Sequence, residues 1–326
     1  MIVVQTPLRL SFLGGGTDFE GFYSSCGGAV LSTTINKRVY VIVKERFDDM
    51  IYINYSKKEI VDDVDKIEHH LVRESMKLSG VSKGIEITTL ADVPSEGTGL
   101  GSSSAITVGL LQALYTYQGR VVMARTLAEQ ACQIEIDILG NPIGRQDQYI
   151  VSYGNMRFIT FGNGGIKVEK IVLPPEHKRK LDESLLLFYT GTTRKSSEIL
   201  SEQKANIERQ VDLLSEMKGL AFEARDAITH GACNELGGIM HRGWELKKKL
   251  AGKISNNQID EMYQAARNAG ALGGKITGAG GGGFLLLYCP IGKQDEVRRA
   301  LKGLPELPFR FQTDGSKVIF NYRVDE

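Results

Sequence analysis

Several absences bound what this 326-residue chain does. Its four cysteines (Cys26, Cys132, Cys233, Cys289) are scattered, with none of the paired spacing that zinc or dithiol chemistry needs. Three lie in apolar contexts, where reduced, packed thiols are expected. Charge of one sign is missing as well. Forty Lys and Arg face 39 Asp and Glu, a net +1, so no nucleic-acid partner is expected. Lys247-Lys248-Lys249 reads as solvated helix surface. No apolar run reaches membrane-spanning length, and no basic segment followed by a long apolar core opens the chain. A cytoplasmic protein without a membrane partner is therefore expected. The chain shows no internal repeat. Apolar residues still make up 42 %, enough for sizeable cores, and the length suits about two domains.

What is present is glycine in clusters. Pro94 to Ala105 reads Pro-Ser-Glu-Gly-Thr-Gly-Leu-Gly-Ser-Ser-Ser-Ala and runs straight into an apolar segment. Glycines let backbone N–H groups converge on one point, and a helix starting just after them aims its partial positive charge at the same point. The serines can cap that helix or offer oxygens to a hard cation. The stretch fits a polyphosphate cradle, and equally an ordinary loop capping a buried helix. A second run, Lys275 to Gly283, precedes the strand-like Phe284–Tyr288. Near the N-terminus, Thr6–Asp18 alternates Leu8, Leu10 and Phe12 against Arg9 and Ser11 before Gly14-Gly15-Gly16-Thr17-Asp18. Two glycine-rich loops suggest a nucleotide enzyme, yet three common nucleotide motifs are missing. No Gly-Lys pair is followed by Ser or Thr, neither run has dinucleotide-type spacing, and the protein-kinase catalytic motifs are absent.

The periodicities predict two strands within Ala29–Lys44 and one each at Ile51–Tyr55 and Ile85–Leu90. They predict helices at Ser103–Tyr117 and Val121–Leu139, the second with an apolar stripe through Leu127, Ala131, Ile134 and Ile138. Glu135 falls beside that stripe, and Gly140-Asn141-Pro142 ends the helix. Tyr149–Tyr153 and Met156–Phe161 are strand candidates. The Gly-rich Phe161–Gly165 suggests a boundary between domains 1–165 and 166–326. His69 and His70 lie in a charged stretch expected to be solvated rather than metal-binding.

Three motifs, Pro7–Asp18, Pro94–Ala105 and Lys275–Gly283, occur in one order across nearly the whole chain, and together they resemble the GHMP small-molecule kinases. That family is named for galactokinase, homoserine kinase, mevalonate kinase and phosphomevalonate kinase. The wording of the first motif resembles the sugar-1-kinase branch that contains heptose 7-phosphate kinases and fucokinases. Trp244-Glu245-Leu246-Lys247 and Gly270–Lys275 further resemble the heptose-phosphate enzymes.

The resemblance implies a two-domain α+β GHMP kinase fold, with a ribosomal-protein-like N-terminal domain, a ferredoxin-like C-terminal domain and the active site between them. It implies ATP and Mg2+, with Gly97, Gly99, Leu100, Gly101, Ser102, Ser103 and Ser104 around the ATP phosphates. Ser103 and Glu135 would hold the metal. Asp147 matches the family's catalytic aspartate, although Gly-Arg-Gln-Asp here is one residue longer than the Gly-Val-Asp of several relatives. Arg9 would lie beside it and stabilise charge on the attacking oxygen. Gly15, Gly16, Thr17, Asp18, Gly278, Gly280 and Gly281 would contact the sugar. Cations for a sugar phosphate would come from Arg145, Arg194, Lys195 and Lys247.

The implied reaction is ATP-dependent phosphorylation of the anomeric hydroxyl of D-glycero-D-manno-heptose 7-phosphate, supplying nucleotide-activated heptose. The alternatives are a 1-kinase for another sugar such as fucose, a non-catalytic sugar and ATP sensor on the same fold, and a mevalonate diphosphate decarboxylase. Retention of Arg9, Glu135 and Asp147 counts against the sensor, and the Gly-Gly-Gly-Thr-Asp run against the decarboxylase.

Overall fold

A computed structural model describes residues 1–94, 97–192 and 196–322. The chain opens with β1 (Ile2–Leu13), α1 (Glu20–Cys26), β2 (Gly28–Glu45), β3 (Ile51–Asn54), β4 (Lys58–Val61), α2 (His70–Ser79) and β5 (Ile85–Ala91). Next come α3 (Ser102–Tyr117), α4 (Ala124–Cys132), α5 (Gln146–Tyr153), β6 (Met156–Phe161) and β7 (Lys167–Lys170). Then follow α6 (Pro175–Glu183), β8 (Leu185–Tyr189), α7 (Ser196–Asn206), α8 (Val211–Thr229) and α9 (Glu235–Lys247). The remainder is α10 (Asn257–Asn268), β9 (Gly273–Ile276), β10 (Phe284–Tyr288), α11 (Gln294–Ala300) and β11 (Lys317–Asn321).

These strands form two sheets. The larger has eight, in the order β11-β1-β2-β5-β3-β4, with β6 on the other half of β2 and β7 beyond it. The smaller is antiparallel, β8-β10-β9. The two strands expected within Ala29–Lys44 are one. A register shift opposite Pro7 and Leu8 bends β2, so that Gly28–Thr33 pairs with β6 and Val39–Glu45 with β5. Bulges of this kind let one long strand serve two neighbours pointing in different directions.

The Gly-rich run at 162–165 closes the β6–β7 hairpin, where Thr160 pairs with Lys167. The first sheet therefore continues past residue 165, and β11 returns to it from the far end of the sequence. Near the C-terminus a single bridge, between Ile35 and Phe311, ties the segment before β11 to β2.

Two further departures bear on the site. Tyr149–Tyr153 lies in helix α5, not a strand. Gln148 to Ser152 are all buried, so no polar face remains to betray the helical period, and strand-favouring side chains are overridden by packing. The helix expected over Val121–Leu139 is α-helical only from Ala124, and Gln133–Ile138 forms a π-helical turn. The wider turn shifts the faces. Leu127, Ala131 and Ile134 stay buried, Ile138 swings out to 48 % exposure, and Glu135 is wholly enclosed.

The halves meet through α9. A Cβ on its Gly243 would lie 2.5 Å from Leu13 of β1, and one on Gly237 only 2.6 Å from Leu272 and 3.0 Å from Tyr288 of β10. The helix is thus wedged between the sheets, and Lys247, its final residue, is delivered into the gap. Among the described residues no helix is long and apolar enough to cross a membrane.

The turn after β1 is equally constrained. Gly14 has φ +84°, and a Cβ there would lie 1.9 Å from the Ala29 carbonyl oxygen. Gly14→Ala is expected to destabilise the protein by about 3 kcal/mol, read from equilibrium urea unfolding, because both conformation and space are denied to a side chain.

Candidate active site

Two glycine runs touch at the centre of the site. A Cβ on Gly99 would lie 2.4 Å from the Thr277 carbonyl oxygen, and one on Gly278 lies 2.5 Å from Gly99 Cα, so the backbones pass without side chains between them. Gly97, Gly99 and Gly101 all adopt positive φ. Gly101, not a serine, is the N-cap of α3, and no side-chain cap bond forms there among the described residues. The expected serine cap is absent because the hydroxyls are used elsewhere. Ser103 Oγ donates to Glu135 Oε1, Ser104 Oγ donates to Glu135 Oε2 at 2.8 Å, and Thr98 and Ser102 hydroxyls lie 3.4 Å apart. The α3 N-terminus consequently points its uncapped end into a cleft walled by Gly97, Gly99, Gly101–Ser104, Glu135, Gly280 and Gly282. Leu100 is fully buried and offers its carbonyl to Arg9 N at 3.0 Å, forming the back of the loop.

Glu135 is enclosed by donors. Besides the two serines, Gln148 Nε2 donates to Oε2 at 2.7 Å. Burial pushes its carboxyl up, against the lowering effect of those hydrogen bonds. No Lys, Arg or His pairs with it among the described residues. A buried carboxylate with hydroxyl oxygens beside it and no cation of its own suits a hard divalent ion. No group of three or more His, Cys, Asp and Glu side chains among the described residues is placed to hold a metal ion, so such an ion would draw its other ligands from phosphate and water.

A second, smaller cavity adjoins this cleft, walled by Ser11, Gly15, Gly16, Asp18, Gln146, Lys247 and Lys275. The two spaces share Arg9, Ile143, Asp147, Leu200, Gly278 and Ala279. At their junction Arg9 Nε donates to Asp147 Oδ1 at 2.7 Å and Nη2 to Oδ2 at 2.6 Å, a bidentate fork. Arg9 Nη1 donates to the Gly99 carbonyl, tying the fork to the glycine loop. Asp147 Oδ2 lies 3.4 Å from where a Gly101 Cβ would stand. Asp18, 2 % exposed, accepts from Gly16 N at 2.9 Å and from Gln146 Nε2 at 3.0 Å, and burial pushes its carboxyl up.

Three sequence expectations do not fit this geometry. Thr17 is fully buried and faces the protein. Its hydroxyl donates to the Gly14 and Ala29 carbonyls at 2.8 and 3.0 Å and accepts from Ala29 N at 3.1 Å, leaving nothing for a sugar. Arg145 lines neither space because carboxylates claim it, Glu20 at 3.2 Å and Asp137 at 3.7 Å. Gly281 spends its N–H on the Ile254 carbonyl at 2.7 Å, and Gly280 and Gly282 line the cleft instead. Arg194 and Lys195 lie outside the described residues.

Sequence reasoning missed Ser11, Gln146, Gln148 and Lys275. The glutamines flank Asp147 and carry no sequence signal, because their roles depend on which carboxylate the fold sets opposite each of them. Lys275, the first residue of the third motif, is 5 % exposed with Nζ donating to Ser11 O at 2.9 Å. Burial drives its amine well below the ordinary lysine range. Lys247, 4 % exposed, donates to the Gly278 carbonyl, and burial, helped by Arg9, lowers it to about 8. A folded-state value below the unfolded one means that the unfolded chain binds more protons between about pH 8 and 10.5, so stability rises with pH across that window. The stability of the native protein relative to Lys247→Met should therefore rise by on the order of 3 kcal/mol between pH 7 and pH 10.5. Urea unfolding of both proteins across that range reads the difference, and a gap independent of pH would refute it.

Comparison with known proteins agrees with this architecture. The family model for the GHMP kinases N terminal domain matches residues 65–155, and that for GHMP kinases C terminal matches residues 224–306. A D-glycero-alpha-D-manno-heptose 7-phosphate kinase of Campylobacter jejuni is 28 % identical, over 92 % of this chain and 93 % of that one. A mevalonate kinase of Methanothermobacter thermautotrophicus is 30 % identical over 67 % of this chain and 68 % of its own. The crystal structure of a D-glycero-D-manno-heptose 1-phosphate kinase from Bacteroides thetaiotaomicron superposes with a TM-score of 0.82 at 25 % identity, covering 99 % of this chain and all of that one. Two touching glycine loops, an uncapped helix facing a cleft and a matching pair of domain models lead to one conclusion: the chain belongs to the GHMP kinase family, whose members use ATP as phosphate donor.

Proposed function

We propose that the protein transfers the γ-phosphate of ATP to the anomeric hydroxyl of D-glycero-D-manno-heptose 7-phosphate, giving the 1,7-bisphosphate for nucleotide-activated heptose synthesis. The observation that carries this reading is the junction: the phosphate-type cleft and the small polar cavity share the Arg9–Asp147 fork. Donor and acceptor would meet there, one from each side. The heptose assignment draws on the names of the Campylobacter and Bacteroides relatives, and the presence of Lys247 and Lys275 on the acceptor side suits a substrate that carries negative charge.

In this reading the backbone of Gly97–Gly101 and the N-terminal turn of α3 cradle the phosphates. Ser103 and Glu135 would hold Mg2+, which would supply neutralising positive charge to the nucleotide phosphates. Asp147 accepts the hydrogen bond of the attacking hydroxyl, which fixes its direction toward the γ-phosphorus and takes up its proton as the new P–O bond forms and ADP departs. Arg9 holds the carboxylate in place through two bonds and adds positive charge where the attacking oxygen becomes anionic. Asp18 and the lysines would orient the sugar. The cytoplasm, where ATP is held, is the compartment this chemistry suits.

Phosphorus NMR of the protein with Mg-ATP and D-glycero-D-manno-heptose 7-phosphate should show a new anomeric phosphate signal. Asp147→Asn should slow its appearance by about 10²–10⁴-fold with folding intact. ATP and sugar phosphate left unchanged by folded protein would end the heptose reading. For the metal, Glu135→Gln should weaken Mn2+ binding to the nucleotide complex, followed by electron paramagnetic resonance, by at least about 10-fold. Unaltered Mn2+ affinity would remove Glu135 from the metal site.

A further inference from the structure

The small cavity contains two hydrogen-bonding atoms that the folded chain does not use. Ser11, on β1, is 5 % exposed, and its Oγ has no hydrogen-bond partner among the described residues. Gln146, the first residue of α5, gives Nε2 to Asp18 Oδ2 at 3.0 Å, which turns its Oε1 away from that carboxylate. Oε1 is buried as well, again without a partner among the described residues. Both side chains line the cavity. Leaving buried polar atoms unpaired is costly, and native proteins keep few of them unless something else completes the bond.

Gly15 stands between the two. A Cβ built there would lie 3.5 Å from Gln146 Nε2 and 3.8 Å from Ser11 Oγ, ordinary contact distances. Unlike Gly14 and Gly16, Gly15 does not have positive φ. Neither conformation nor packing therefore demands glycine at this position. What its missing side chain supplies is a methyl-sized opening flanked by the Ser11 hydroxyl and the amide nitrogen of Gln146, whose carbonyl oxygen lies beyond it.

We propose that Ser11 and Gln146, spaced across Gly15, are specificity-determining residues that read neighbouring hydroxyls of the sugar ring on the acceptor side of the Arg9–Asp147 fork. Gln146 Oε1 accepts from one hydroxyl, and Ser11 Oγ donates to or accepts from the next. Asp18 acts through Gln146, holding the amide by its side chain and by its backbone N–H at 3.2 Å. A site built to pair a hydroxyl rejects the analogue lacking it far more strongly than an apolar wall rejects an added methyl. The inference rests on the sugar-kinase reading above, but not on which sugar is bound.

Saturation-transfer difference NMR with ADP and Mg2+ present, run over D-glycero-D-manno-heptose 7-phosphate, L-fucose, D-mannose and D-galactose, identifies the sugar that the native protein holds. Gly15→Ala and Ser11→Ala are then titrated with that sugar, alongside melting temperature and binding of a fluorescent ATP analogue. Both variants should bind the sugar about tenfold or more weakly, with nucleotide binding unchanged. The melting temperature should be unchanged for Gly15→Ala and equal or higher for Ser11→Ala, since an unpaired buried hydroxyl is removed; a purely structural hydroxyl would lower it. Sugar affinity within about twofold of native in Gly15→Ala, or no sugar signal from the native protein at all, overturns the proposal. Binding of fucose in place of the heptose phosphate would sink the substrate proposed above, while the same two variants still decide the subsite.

Discussion

One ion pair holds the site in register. Arg9 is anchored in the buried 6–13 part of β1, and its planar fork accepts one orientation of the Asp147 carboxylate. That orientation fixes the first turn of α5, and the first turn fixes everything around it. Three consecutive side chains of this turn reach three different parts of the site. Gln146 holds Asp18 at the small cavity, Asp147 meets Arg9 at the junction, and Gln148 holds Glu135 at the larger cleft. Successive residues on a helix point about 100° apart, so a short helix aimed into a cleft is well suited to this division.

The same cause, exclusion of water, acts with opposite sign on the charges around this turn. It pushes the carboxyls of Asp18 and Glu135 up and the amines of Lys247 and Lys275 down. Each group is held in a form that resists being charged, and each carries incomplete compensation from its neighbours. A ligand bringing phosphates, hydroxyls and a cation would complete that compensation. The binding of substrates and the relief of these buried charges are then one process, and stability is given up at the site in return for it.

Much of this was legible before any coordinates. The three motifs and the strand at β1 follow from residue type and order, because glycine runs and alternating apolar residues report local backbone demands, while the pairing of Arg9 with Asp147 was what the family resemblance implied. What escaped was decided by distant parts of the chain. Arg145 stands beside motif residues in sequence, but Glu20 and Asp137 reach it first in space. Thr17 follows three glycines, yet the turn they make folds its hydroxyl back on its own backbone. Glu135 was placed beside an apolar stripe, and only the π-helical turn rotates it fully inward. Uncharged glutamines carry no sequence signal of their own, since their roles come from which carboxylate the fold sets opposite them.

The position of β11 has a bearing on how the protein is made. Strand β1 pairs with β2 on one side and with β11 on the other, and β11 is synthesised roughly 300 residues after β1 leaves the ribosome. Throughout that interval the outer rim of the strand that carries Arg9 presents unpaired backbone groups to its surroundings, a template for pairing with another nascent chain. The order in which the chain is made is thus a constraint on folding that the stability of the finished molecule does not measure.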